Sequence, residues 1–98
     1  MNIQKMMAQA QAMQNKVQAE LAALRIEASA GGGLVKVEMS GHKEPLGVHI
    51  EPSAVDPNDV ETLQDLVLAA FREAARLVDE AVERKTSAML SGMMPGRR

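Results

Sequence analysis

GGGLVKVEMSGHKEPLGVHIEP, residues Gly31–Pro52, is the stretch that decides the fold. After three glycines, Val35, Val37 and Met39 alternate with Leu34, Lys36 and Glu38, the period-two pattern of a half-buried strand. A turn cluster follows at Gly41–Pro45. A second alternation then sets Val48 and Ile50 on one face and His49 and Glu51 on the other, so the stretch predicts a β-hairpin. Upstream, Leu24-Arg25-Ile26-Glu27-Ala28 alternates as well and predicts a first strand over 23–30, paired with 34–40 through a Gly31–Gly33 turn. In that pairing Arg25 and Glu27 would sit opposite Glu38 and Lys36, a favourable cross-strand arrangement. The glycines form a turn and not a phosphate loop, because no Gly-Lys-Ser/Thr follows and Leu34-Val35 opens a strand. Pro45 and Gly47 mark the last strand as an edge or dimer-contact strand with some irregularity. So small a sheet is unstable in water unless something covers its apolar face.

The flanking segments supply that cover. From Asn2 to about Leu24, Ile3, Met6, Ala10, Met13, Val17, Leu21 and Leu24 recur at spacings of three and four, which predicts one helix. Its other faces carry glutamines and an edge on which Lys5, Gln9, Ala12 and Lys16 align; long amide and ammonium side chains there suit either solvent or a phosphate backbone. Past a connector at Glu51–Val55, Asp56-Pro57 or Asn58-Asp59 starts a second helix, in which Val60, Leu63, Val67, Ala70, Ala74, Leu77 and Ala81 make an unbroken stripe, widened by Leu66, Phe71, Val78 and Val82. The pattern runs to about Leu90, with Gly92 placed as a cap, giving a helix of roughly 30 residues and ~45 Å. A compact domain of this size has a radius of gyration of only ~13 Å, so the helix must project beyond the sheet. With 98 residues and no cysteine, the core is small and no disulfide supplements it. These features together predict a homodimer in which Val35, Val37, Val48 and Ile50 of the sheet and Leu63, Val67, Ala70, Phe71 and Ala74 of the long helix form the contact.

The formal charge of −2 is unevenly distributed. Residues 1–19 hold Lys5 and Lys16 with no acid, and residues 84–98 hold Arg84, Lys85, Arg97 and Arg98 with no acid; all 13 acids lie between. If the first helix runs toward the sheet and the second away from it, side by side, these six basic residues gather at one tip of each protomer. Residues 1–92 read as one domain and 93–98 as a flexible basic tail, and the dimer becomes a two-pronged clamp for duplex nucleic acid. Single strands are disfavoured as partners, because base stacking needs aromatic side chains and Phe71 is the chain's single aromatic. Binding would rest on phosphates, with low sequence selectivity.

Catalysis has little support. There is no cysteine, the serines lack an activating neighbour, and His42 and His49 read as solvated and not as metal ligands. No enzyme activity, cofactor, metal or small-molecule substrate is expected. The opening segment has no apolar core of signal-peptide length and no run approaches a membrane span, so the expected setting is the cytoplasm, with no membrane partner.

The segment M-x-x-Q-A-Q-x-M-Q-x-K (Met6 to Lys16), the run Gly33-Leu-Val-Lys-Val, Gly41, Val48-His-Ile-Glu-Pro-Ser and the helix Leu63-Gln-Asp-Leu-Val-Leu-Ala-Ala-Phe-Arg-Glu-Ala closely resemble the YbaB/EbfC nucleoid-associated proteins of bacteria. The resemblance extends over nearly the whole chain. It implies an α+β protomer of α-β-β-β-α order, a three-stranded antiparallel sheet flanked by two long helices, and a tweezer-like homodimer. It further implies binding of double-stranded DNA in the nucleoid, with a link to nucleoid organisation, gene regulation or recombination and repair. DNA contact is attributed in that family to the helical arms, which here correspond to Lys5, Gln9 and Lys16 on the first helix and Arg84 and Lys85 on the second. Where some relatives carry a basic pair before V-x-I, this chain has Leu46-Gly47, so its sheet adds less positive charge. The competing reading is a dimeric protein-interaction adaptor whose acidic body is the recognition surface.

Overall fold

The computed structural model describes residues 2–92. The elements are α1 (Ile3–Ala23), β1 (Arg25–Ala30), β2 (Val35–Ser40), β3 (Pro45–Ile50), a single 3-10 turn (Pro52–Ala54) and α2 (Val60–Gly92). The three strands form one antiparallel sheet in the order β1-β2-β3. This is the α-β-β-β-α arrangement expected. The segment 93–98 expected to be a basic tail, with Arg97 and Arg98, lies outside the described residues.

Each boundary has a local cause. Asn2 caps α1, its side-chain oxygen accepting the Lys5 N–H at 3.1 Å. Asp59 performs the same task for α2, accepting the Thr62 N–H at 3.3 Å, so the helix starts at Val60 and not at the earlier Asp56-Pro57. Asp56 instead closes a tight turn by accepting the Asn58 N–H at 2.9 Å.

The β1–β2 register differs from expectation. Ala30 stands opposite Val35, so the turn comprises Gly31–Leu34 and is one residue longer than the three glycines. Gly31, Gly32 and Gly33 all adopt positive φ (65°, 68° and 97°), a run of left-handed backbone that a side chain would strain. The longer turn slides the strands, so Glu27 faces Glu38 and Ser29 faces Lys36. Arg25 reaches Glu38 diagonally at 3.5 Å, which offsets the like-charge pair. On the other side of β2, a bulge between Glu38 and Met39 accommodates Pro45 in the edge strand.

α2 packs across one face of β1 and β2. Ala70, Ala74 and Val78 bury themselves against Ala28, Val35, Val37 and Met39; the alanines let helix and sheet approach closely. Ile26, Ala30, Ile50, Leu63, Leu66, Val67 and Phe71 ring this core, half-buried. β3 lies beyond the reach of α2, and all of its residues except Ile50 are exposed. The opposite face of the sheet is polar throughout, presenting Arg25, Glu27, Lys36, Glu38 and His49 to solvent.

The molecule is elongated. Its radius of gyration is 19.2 Å and its extents are 70 × 29 × 15 Å, far from the ~13 Å radius of a compact chain of this length. α2, with 33 residues, spans ~50 Å and runs well past the sheet. α1 buries none of its residues and is an arm attached at its C-terminal end.

Candidate nucleic-acid interface

The base of the α1 arm is held at three points. The Gly41 N–H donates to the Leu21 carbonyl at 2.9 Å, His42 Nε2 lies 3.3 Å from the Gln18 carbonyl, and Lys85 Nζ of α2 lies 3.3 Å from Glu20 Oε1. The last contact brings the two helices together where both leave the sheet. Beyond this junction the helices make little contact, so the condition of two helices lying side by side is met only at a shared root. α1 departs from there with Lys16 one turn beyond Glu20 and Lys5 a further ~17 Å along the helix.

The expected basic residues therefore separate into two groups. Lys5, Gln9 and Lys16 stand exposed on α1, and among the described residues neither lysine makes an ion pair. Arg84 and Lys85 lie on α2 with acids at hand: Arg84 is 4.0 Å from Glu80, and Lys85 is drawn to Glu20. Glu20 and Lys85 are each about three-fifths buried, and sequence spacing gave no hint of the pair because the two residues belong to different helices.

The rest of α2 is laced with surface ion pairs. Arg76 bridges Glu73 at 2.7 Å and Glu80 at 2.6 Å, the i, i+4 pairing that its spacing predicts joined by an i, i+3 one. The hydrogen bond from Arg76 holds the Glu73 carboxyl below the usual carboxylate range, and the same bond raises the Arg76 guanidinium further above its ordinary value. Asp79 pairs with Lys43 of the β2–β3 turn at 2.8 Å. On the open sheet face, His49 is 3.2 Å from Glu51 Oε1, and that face carries three acids, Glu27, Glu38 and Glu51, against Arg25 and Lys36. That face is slightly acidic, whereas α1 carries Lys5 and Lys16 with Glu20 as its single acid. Among the described residues no group of three or more His, Asp or Glu side chains is placed to hold a metal ion, and no helix is long and apolar enough to cross a membrane.

The residues expected at a dimer contact also separate. Val35, Val37, Ala70 and Ala74 fill the protomer's own core, each 1% exposed or less, because α2 already covers them. Leu63, Val67, Phe71 and Ile50 are half-buried around that core. Val48 remains open, beside Leu46 on the same uncovered strand. Leu68, Phe71 and Ala75 share a flank of α2 with Asp79, the residue that reaches the β2–β3 turn, so this flank borders β3. Leu46, Val48 and Leu68 are exposed apolar residues of the edge strand and the long helix.

A three-stranded antiparallel sheet with one helix laid across it and a second helix held at its root defines an armed α+β scaffold, and known proteins share it. A family model for the YbaB/EbfC DNA-binding family matches residues 1–93. The chain belongs to that family. A nucleoid-associated protein of Clostridium novyi (strain NT) is 49% identical over 98% of this chain and 88% of its own length. A nucleoid-associated protein of Koribacter versatilis is 46% identical, over 97% of this chain and 95% of its own length. The crystal structure of an uncharacterized protein from Helicobacter pylori has the same fold at 20% identity, with a TM-score of 0.72 over 92% of this chain and 98% of that one.

Proposed function

We propose that this protein is a nucleoid-associated homodimer that binds double-stranded DNA through its α1 arms with little sequence selectivity. The observation that carries the reading is the exposed, unpaired lysine edge of α1, Lys5 and Lys16 with Gln9 between them, on an arm that projects from an acidic body. Lysine and glutamine side chains on one helix edge meet phosphate oxygens without reading bases. Membership in a DNA-binding family and the nucleoid-associated relatives support the same partner. Its place is then the bacterial nucleoid, in DNA organisation or regulation or in recombination and repair.

The dimer completes the protomer. Among the described residues seven apolar side chains are buried and three of them are alanines, a small core for a chain of 98 residues. A second copy seated against the exposed Leu46 and Val48 of β3 and Leu68 of α2, with the half-buried Phe71 beside them, extends that core and presents two arms to one duplex. Ile50, Leu63 and Val67 border this contact, while Val35, Val37, Ala70 and Ala74 support it from beneath.

Competition binding tests the reading. A labelled duplex bound at low salt should be displaced equally by unrelated duplexes and poorly by single strands of the same length. Failure of the folded dimer to bind any duplex at low salt turns the assignment to the protein-adaptor reading.

A further inference from the structure

We infer that the turn Ser40–Glu44 is the seat that fixes the direction of the α1 arm, with Gly41 and His42 as its positioning residues. No residue of α1 is fully buried, and the half-buried ones, Val17, Glu20 and Leu21, lie at its root, so no packed face along the arm determines where a 21-residue helix points. Its direction rests on the root. There the backbone of Gly41 approaches α1 so closely that an added Cβ would stand 2.5 Å from the Leu21 carbonyl oxygen and 3.0 Å from its Cα. Both are backbone atoms, so no side chain can swing away to make room.

The turn that offers this surface is built to be rigid. The Ser40 hydroxyl, on a residue 2% exposed, accepts the N–H groups of both His42 (3.1 Å) and Glu44 (3.2 Å). Lys43 takes a left-handed φ of 63° and its ammonium is tied to Asp79 of α2. Held this way, the turn points the His42 ring at the Gln18 carbonyl, an acceptor only, so Nε2 carries the proton and donates. Gln18 lies almost one turn before Leu21. Two hydrogen bonds at successive levels of the helix fix an axis, whereas one would leave a pivot. The Glu20–Lys85 pair adds a tie from α2. Arm spacing in the dimer follows from this seat, and its value for DNA engagement rests on the α1 arms being the DNA-contacting parts.

The cysteine-free chain allows a direct test. Ala8→Cys on the arm and Ser29→Cys on the open sheet face carry spin labels, and excess unlabelled protein isolates the distance within one protomer. The parent should give one narrow distance. His42→Ala removes a single ordinary hydrogen bond, which shifts the balance between seated and unseated arms about threefold to tenfold and broadens the distribution. His42→Gln, which keeps an N–H donor, should restore it, and Gly41→Ala should displace it outright. Far-UV spectra establish that each variant is folded; if Gly41→Ala does not fold, His42→Ala decides. An unchanged distribution in the folded variants overturns the inference whatever the DNA binding. A broadened distribution with undiminished duplex binding upholds the seat and removes the α1 arms from the DNA-binding reading.

Discussion

Val37 and Val48 stand directly opposite each other in the β2–β3 register, yet Val37 is 1% exposed and Val48 is 53% exposed. Both point to the face that α2 covers. The difference arises because the helix axis lies over β1 and β2 and leaves the edge strand uncovered. Two valines of equal hydrophobicity therefore have different tasks, one within the protomer and one at its surface.

Val48→Asp should abolish the dimer while leaving the protomer folded, since a carboxylate in an apolar contact loses its hydration without gaining a partner. Light scattering should fall from twice 10.5 kDa to 10.5 kDa. Val37→Ala, in contrast, should leave the mass alone and lower stability by about 2 kcal/mol, from two buried methyl groups and the cavity they leave.

The β1–β2 turn gives a graded prediction. Gly32→Ala meets nothing within 4 Å and should cost about 1 kcal/mol, the strain of a left-handed alanine alone. Gly31→Ala should cost more, because its Cβ also arrives 2.9 Å from Leu66 Cδ2, and the leucine must repack. Urea midpoints of the two variants against the parent rank them.

Much of this architecture is legible in the chain. The alternation of Val35, Val37 and Met39 and the three-four spacing from Val60 to Ala81 name the elements and the faces they bury, because periodicity is a local property. The register is less so: three glycines mark a turn, but only the fold reveals that Leu34 belongs to it, which moves Glu27 from Lys36 to Glu38. Nor does alternation separate Val35 from Val48, since the distinction depends on how far α2, which begins only at Val60, extends across the sheet. The arm's lysines can be read from their spacing on one helix edge. The partnership of Lys85 with Glu20 cannot, because two helices must first be brought to a common root.

Glu73 should titrate below the ordinary glutamate range, owing to its hydrogen bond from Arg76. A carboxyl with a folded-state value below its unfolded one contributes stability above the usual carboxylate range and loses it as pH falls through the lowered folded value. Arg76→Ala should return the Glu73 midpoint, followed by NMR, to the usual range. Both side chains stand at the surface, so screening keeps the effect on overall stability small.

Salt dependence of duplex binding tests the central claim most directly. Fluorescence anisotropy of a ~30 bp labelled duplex, from low to physiological salt, should give a log K against log salt slope near −5 if about six phosphates are neutralised per dimer. Lys5→Ala with Lys16→Ala removes four arm charges from the dimer and should flatten the slope to about −2, with fold and dimer intact. Arg84→Ala with Lys85→Ala should change it less, since Glu80 and Glu20 already engage those side chains. An unchanged slope in the folded Lys5/Lys16 variant would contradict the account and place any DNA contact elsewhere on the molecule.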